Sequence, residues 1–239
     1  MQNSKVKESI IIGLSIVLGL SFLGYSVGRS LIRFKEYERT ITVKGLAEKD
    51  VPANVAIWPI QFKAADNDLS LLYSSLEKNR QGIVSFLLES GFKQEEISIS
   101  QLSVTDKYAS EYDSNNSIKM RYIANQTVTV YTTNVQGVIS TKGKIDELTN
   151  KGIVVVADNY DNKTEYIFTK LNEIKPLMVE EATINARQVA LKFSKDSNSK
   201  LGKIKDAQQG QFSINDRDKN TPHIKKVRVV STIQYYLSD

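Results

Sequence analysis

The sequence predicts an α+β fold: two-lobed, with mostly antiparallel sheets each covered by helices in the order ββαββ-αββαββ, preceded by one N-terminal transmembrane helix. Three observations carry this. Segments of period-two alternation come in pairs joined by short polar turns, the pattern of antiparallel hairpins. Between the pairs lie stretches with apolar residues three and four apart, the mark of helices with one buried stripe. Ahead of both, residues 9–28 form a run of 20 residues without a charge.

As a helix that run spans about 30 Å, the thickness of a bilayer's hydrocarbon core. Lys5 and Lys7 precede it, and Arg29, Arg33 and Lys35 follow. It is longer than the roughly 7–15 apolar residues of a cleaved signal, although Ser26-Val27-Gly28 offers a small-x-small cleavage site. Residues 1–30 therefore read as an uncleaved signal anchor. Basic residues on the two sides are too evenly matched to set its orientation. Gly24 and Gly28 form a G-x-x-x-G pair, and Ser15 and Gly19 a small-x-x-x-small pair. Such spacing lets membrane helices approach closely, so Gly24 and Gly28 are the candidate helix-packing positions.

Residues 31–239 read as one α+β domain, with lobes at about 39–133 plus 200–239 and at 134–199. Residues 40–49 alternate Ile41, Val43 and Gly45 with Thr42, Lys44 and Leu46, a strand ending in a turn at Asp50-Val51-Pro52. A second strand follows over 54–63, with Ala56, Trp58, Ile60 and Phe62 on one face. Asn67 is a good N-cap for a helix bearing Leu69, Leu72, Tyr73, Leu76, Ile83, Phe86 and Leu87, closed by Gly91. Residues 97–104 and 122–131 read as strands, and the polar stretch 107–117 as the loop between them. Asn134 caps a helix carrying Val135, Val138, Ile139, Ile145 and Leu148, stopped at Gly152. Residues 153–157 form a short buried strand with 165–171 as its partner. The longest helix has Pro176 in its first turn and an apolar face of Met178, Ala182, Ala186, Val189 and Phe193. Residues 202–212 and 227–236 close the fold, with Val227, Val229, Ser231, Ile233 and Tyr235 on one face.

Composition narrows the chemistry. The 239 residues contain no cysteine and a single histidine, His223, which excludes disulfides, thiolate metal sites, cysteine nucleophiles and a multi-His zinc site within one chain. There is no G-x-S-x-G elbow for a serine nucleophile, so His223 reads as a turn histidine. No phosphate-binding glycine loop occurs. The oxygen-rich stretch 158–165 lacks the spacing of a calcium loop and reads as a turn. Carboxylate pairs at Asp66/Asp68, Glu95/Glu96 and Glu180/Glu181 read as solvated surface. The net charge of +5 is modest, and the basic C-terminal fifth has no interleaved aromatics, so no nucleic-acid partner is expected. No catalytic, cofactor-binding or metal-binding residue is assigned.

Four stretches together carry a resemblance. Residues 40–58 (TITVKGLAEKDVPANVAIW), 87–104 (LLESGFKQEEISISQLSV), 122–140 (YIANQTVTVYTTNVQGVIS) and the alanines Ala182, Ala186 and Ala190 ahead of Leu201-Gly202 resemble, in that order, the SIMPL-domain family. The resemblance covers about residues 39–239. It implies a bacterial protein outside the cytoplasm, a two-lobed α+β fold, assembly into higher oligomers, and for some members defence against oxidative stress; it carries no catalytic residues. The chain departs from the family in the helix over 176–195, whose alanine repeats are diluted by Thr183, Asn185 and Phe193, and in its retained anchor. The expectation is a non-enzymatic, self-assembling homo-oligomer in an envelope or stress-protection role. It is single-pass in the bacterial inner membrane, with its soluble domain in the periplasm or outside. The alternative is a binding module for a small ligand or envelope component, using a cleft between lobes and the loops at 158–165 or 107–117.

Overall fold

Alternation extends the first strand beyond its expected end. In the computed structural model, which describes residues 2–37, 39–109, 119–156 and 162–238, β1 runs Thr40–Pro52. Val51 stays buried, and Pro52, which has no N–H to donate, takes the last position, so the turn falls at Ala53-Asn54 rather than at 50–52. The N-terminal helix α1, Gln2–Tyr37, is the longest in the chain, and its side chains are described over residues 13–30. The chain divides into two compact units: Met1–Lys49 with Ile174–Ser213 and Arg228–Asp239, and Asp50–Glu173 with Ile214–Val227.

The second unit is built on β2 (Val55–Asp66), which pairs antiparallel with β5 (Tyr122–Thr132) from Ala56↔Thr132 to Asp66↔Tyr122. β3 (Ile97–Ile99) and β4 (Ser103–Asp106) pair with the far side of β5. They replace the single strand expected over 97–104, interrupted where Ser100 donates its N–H to Thr127. β6 (Glu165–Ile167) pairs with β2, not with residues 153–157 as expected. Within that stretch, among the described residues, Val155 forms a bridge to Phe62, so β2 takes both partners.

Ala56, Trp58, Ile60 and Phe62 are buried on the predicted face of β2, against Leu72, Leu76, Ile83, Phe86 and Leu87 of α2 (Leu69–Glu89). Leu69 and Tyr73, expected in that stripe, are exposed. The cap of α2 is Asp68, whose Oδ1 accepts from Ser70 N and Leu71 N at 2.7 and 3.0 Å. Asn67, the expected cap, instead accepts from Arg121 N at 2.9 Å. Gly91 ends the helix at φ 91°, a conformation only glycine adopts without strain. The helix expected from Asn134 to Gly152 breaks at Gly143 into α3 (Val135–Lys142) and α4 (Asp146–Asn150), which bury Val138 and Leu148.

In the first unit β1, β9 (Ile224–Ser238) and β7 (Lys200–Gln209) lie side by side, and α5 (Leu171–Asp196) packs on one face. β8 (Ser213–Asp216) pairs with β9. The predicted inner face of β9 is buried from Val227 to Tyr235. α5 starts five residues earlier than expected, which puts Pro176 inside it. Its buried row is Met178, Ala182, Ala186, Ala190 and Ser194, a strict spacing of four, so Val189 and Phe193 face outward instead of inward.

The contact is close. A Cβ on Gly45 would lie 1.8 Å from the carbonyl oxygen of Ala182 and 2.5 Å from the nitrogen of Ala186, both backbone atoms. Asn185 Nδ2 donates to Leu46 O at 2.8 Å and fixes the register of helix on strand. Beneath α5, Ser231 Oγ and Tyr235 Oη are buried without a hydrogen-bond partner among the described residues. Gly45→Ala therefore lowers stability by about 1–3 kcal/mol, since no rotamer relieves a backbone clash, whereas Tyr235→Phe leaves it unchanged or raises it by up to about 1 kcal/mol. Urea unfolding of the two variants checks both signs.

Candidate functional site

Gly24 and Gly28 sit on α1 with nothing within 4 Å of where a Cβ would lie, as do Gly13 and Gly19. Around them Leu18, Leu20, Phe22, Leu23 and Tyr25 are all exposed, so apolar side chains reach solvent on several sides of the helix. Gly24 and Gly28 thus have no neighbour within the chain among the described residues. No helix of the described residues is long and apolar enough to cross a membrane. Over residues 13–30 four glycines, four serines, Tyr25 and Arg29 dilute the leucines, isoleucine and valines.

The carboxylate pairs take structural positions. Asp66 Oδ1 accepts from Asp68 N at 2.9 Å, and Asp68 caps α2. Glu96 accepts from Lys93 N at 2.8 Å and from Thr132 Oγ1 at 2.5 Å, two bonds that hold its carboxyl below the usual range. Among the described residues no cluster of three His, Asp or Glu side chains is placed to hold a metal ion. Of the two loops singled out for ligand binding, residues 110–117 and 158–161 lie outside the described residues.

His223 is the predicted residue that the fold places most informatively. It lies on the rim of a cavity of about 570 Å³ inside the second unit, reached also by Lys142 from the end of α3, Lys163 and Thr164 ahead of β6, and Lys219 from the β8–β9 loop. Ile139, Tyr166 and Pro222 form its apolar wall. The imidazole meets the Tyr166 ring edge-on, centroids 6.0 Å apart, and its carbonyl accepts from Ala53 N at 2.8 Å. Lys142 Nζ donates to the buried Thr164 Oγ1 at 2.8 Å. A smaller cavity of about 290 Å³ adjoins it, sharing Lys163, Thr164, Tyr166 and Pro222 and adding Glu165, Asp216 and Lys225. There the buried Lys225 ammonium is ion-paired with Asp216, while Lys163 stands 3.9 Å from the same carboxylate.

The loop that carries Lys219 and His223 is tied by Asp218. Its carboxylate accepts from Asn220 N and Thr221 N, both at 2.8 Å, from Thr221 Oγ1 and from Arg217 Nε at 3.1 Å. Bonds from the Thr221 hydroxyl and the Arg217 guanidinium hold this carboxyl well below the usual carboxylate range. Sequence reasoning reaches His223 and the stretch 158–165 that holds Lys163 and Thr164, but not Lys142 or Lys219, because the lysines come from three separate segments.

A second exposed feature lies on α5. Leu177, Ile184 and Leu191 are exposed and seven residues apart, so at 3.6 residues per turn they form a row opposite the buried one.

Two antiparallel sheets with helices packed against them define an α+β protein built from hairpins punctuated by helices. The model of the SIMPL family, described as a protein of unknown function (DUF541), matches residues 41–232, and the chain belongs to that family. No curated protein matches it.

Because the Asp218 carboxyl is depressed when folded, the order it gives the loop is present above the unfolded pKa of about 3.9 and is lost only as pH falls through its own lower value. Titration followed by NMR should find Asp218 ionised below pH 4, and Thr221→Val should move its midpoint upward. An ordinary midpoint in the parent protein contradicts the tie.

Proposed function

We propose that this SIMPL-family protein is a non-enzymatic, extracytoplasmic protein. It is held at the membrane by its N-terminal helix, and self-associates in an envelope or stress-protection role. The observation that carries self-association is the second apolar row of α5, Leu177, Ile184 and Leu191, on the face away from the sheet. Leu and Ile side chains each contribute roughly 1.5–3 kcal/mol when fully buried, so such a row favours a partner.

A second copy is the occupant that fits. In an antiparallel helix pair centred on Ile184, Leu177 meets the partner's Leu191. Glu173 then stands opposite the partner's Lys195, and Glu181 opposite the partner's Arg187. Acidic residues dominate the first half of α5 and basic ones the second, so antiparallel pairing is charge-matched and parallel pairing is not. Membrane attachment is supported by the uncharged run over residues 9–28, which includes Ile10, Ile11 and Ile12, and by the exposed apolar side chains of α1 over residues 13–30. Gly24 and Gly28 are suited to helix packing within that membrane segment.

Light scattering of the full chain in a neutral detergent should give an oligomer, and Ile184→Asp should reduce it at least one step toward monomer without loss of secondary structure. A monomeric parent chain sinks the self-association. Membranes from expressing cells, washed with alkaline carbonate, should retain the full chain and release the chain lacking residues 1–30; release of both removes the anchor.

A further inference from the structure

The cavity beside His223 is independent of that self-association and asks for its own account. Its described lining brings Lys142, Lys163, Lys219 and His223 together and includes no carboxylate. Lys163 and Lys219 reach the same concavity from separate segments, so their charges add there. Each position is fixed by the fold. Lys142 is held by the buried Thr164, Lys163 directly precedes that residue, and Lys219 rides on the loop tied by Asp218. The neighbouring Asp216 is engaged by the buried Lys225, so it only partly offsets Lys163.

We infer that this cavity is a binding site for a phosphoryl group carried on a small molecule, with Lys163 and Lys219 as its principal charge partners and Lys142 and His223 completing the cradle. A volume of about 570 Å³ lies within the range of small-molecule sites. Ammonium groups act as point charges with no preferred plane, which suits a tetrahedral phosphoryl anion; flat bidentate recognition of a carboxylate is arginine's geometry, and the described lining has no arginine. The wall of Tyr166, Pro222 and Ile139 gives the rest of the ligand an apolar surface. The phosphoryl group is either that of a free phosphorylated metabolite or that of an anionic lipid headgroup.

The test titrates the full chain in a neutral detergent, at constant ionic strength, with inorganic pyrophosphate, with dihexanoyl phosphatidylglycerol and with dihexanoyl phosphatidylcholine. Isothermal calorimetry should show one saturable site for pyrophosphate if the source is soluble. If the source is lipid, it should show one for the phosphatidylglycerol alone. In either case the double variant Lys163→Gln/Lys219→Gln weakens binding at least tenfold, with its melting temperature in the absence of ligand unchanged. Lys78→Gln, on the exposed side of α2, leaves binding as in the parent. Absence of saturable binding for both phosphoryl probes, equal binding of the phosphatidylcholine, or an equal loss in Lys78→Gln overturns the assignment.

Discussion

The close seat of α5 on β1 sets the terms for the first unit. Helix and strand approach until the backbone of Ala182 and Ala186 occupies the space a Cβ of Gly45 would need. This distance requires a glycine on the strand and a row of small residues on the helix, and Ala182, Ala186, Ala190 and Ser194 supply it. Small residues bury little apolar area each, so the unit gains its cohesion from proximity and from the larger side chains of the sheet, Val43, Ile233 and Tyr235. The consequence reaches the surface. With its inner row given over to alanine, α5 carries its bulky residues outside, and Leu177, Ile184, Leu191 and Phe193 remain in solvent in the single chain.

The same constraint explains where sequence reading succeeded and where it failed. The α+β class, the two hairpin-based sheets and the buried faces of β2 and β9 were legible, because alternation over ten or more residues leaves one solution for the sheet face. The expected inner face of α5 falls one position early at Val189 and again at Phe193, where Ala190 and Ser194 are the buried residues. Hydrophobicity favours Val over Ala and Phe over Ser, but the approach to Gly45 admits only the small residue of each pair. Pro176 misled the helix start, since proline is common near helix beginnings yet here lies inside the helix. The partner of β6 was missed because proximity in sequence favoured residues 153–157, whereas β2 has an open edge over Val55–Ile57.

Function was less legible than fold. Family membership follows from four ordered stretches that mostly shape the fold: the Gly45 hairpin, the Gly91 helix stop, the β5 strand and the α5 alanines. None of these carries chemistry. The phosphoryl cradle is invisible along the chain, because Lys142, Lys163 and Lys219 belong to a helix end, a strand approach and a hairpin loop. Each reads separately as a solvated lysine. Only the packing of α3 and β6 beside the β8–β9 loop brings them to one concavity, and the one histidine of the chain marks the place.

α5 turns a small face inward and an apolar row outward, the row proposed to meet a second copy. Because the chain has no cysteine, single spin labels placed at residues 177, 184 and 191 report on that face without background. Pulsed dipolar spectroscopy on the full chain in a neutral detergent should give the shortest intermolecular distance from the label at 184 and longer, nearly equal ones from 177 and 191. Absence of any intermolecular coupling, or the same short distance at all three positions, contradicts the antiparallel pairing and with it the role assigned to the outer row.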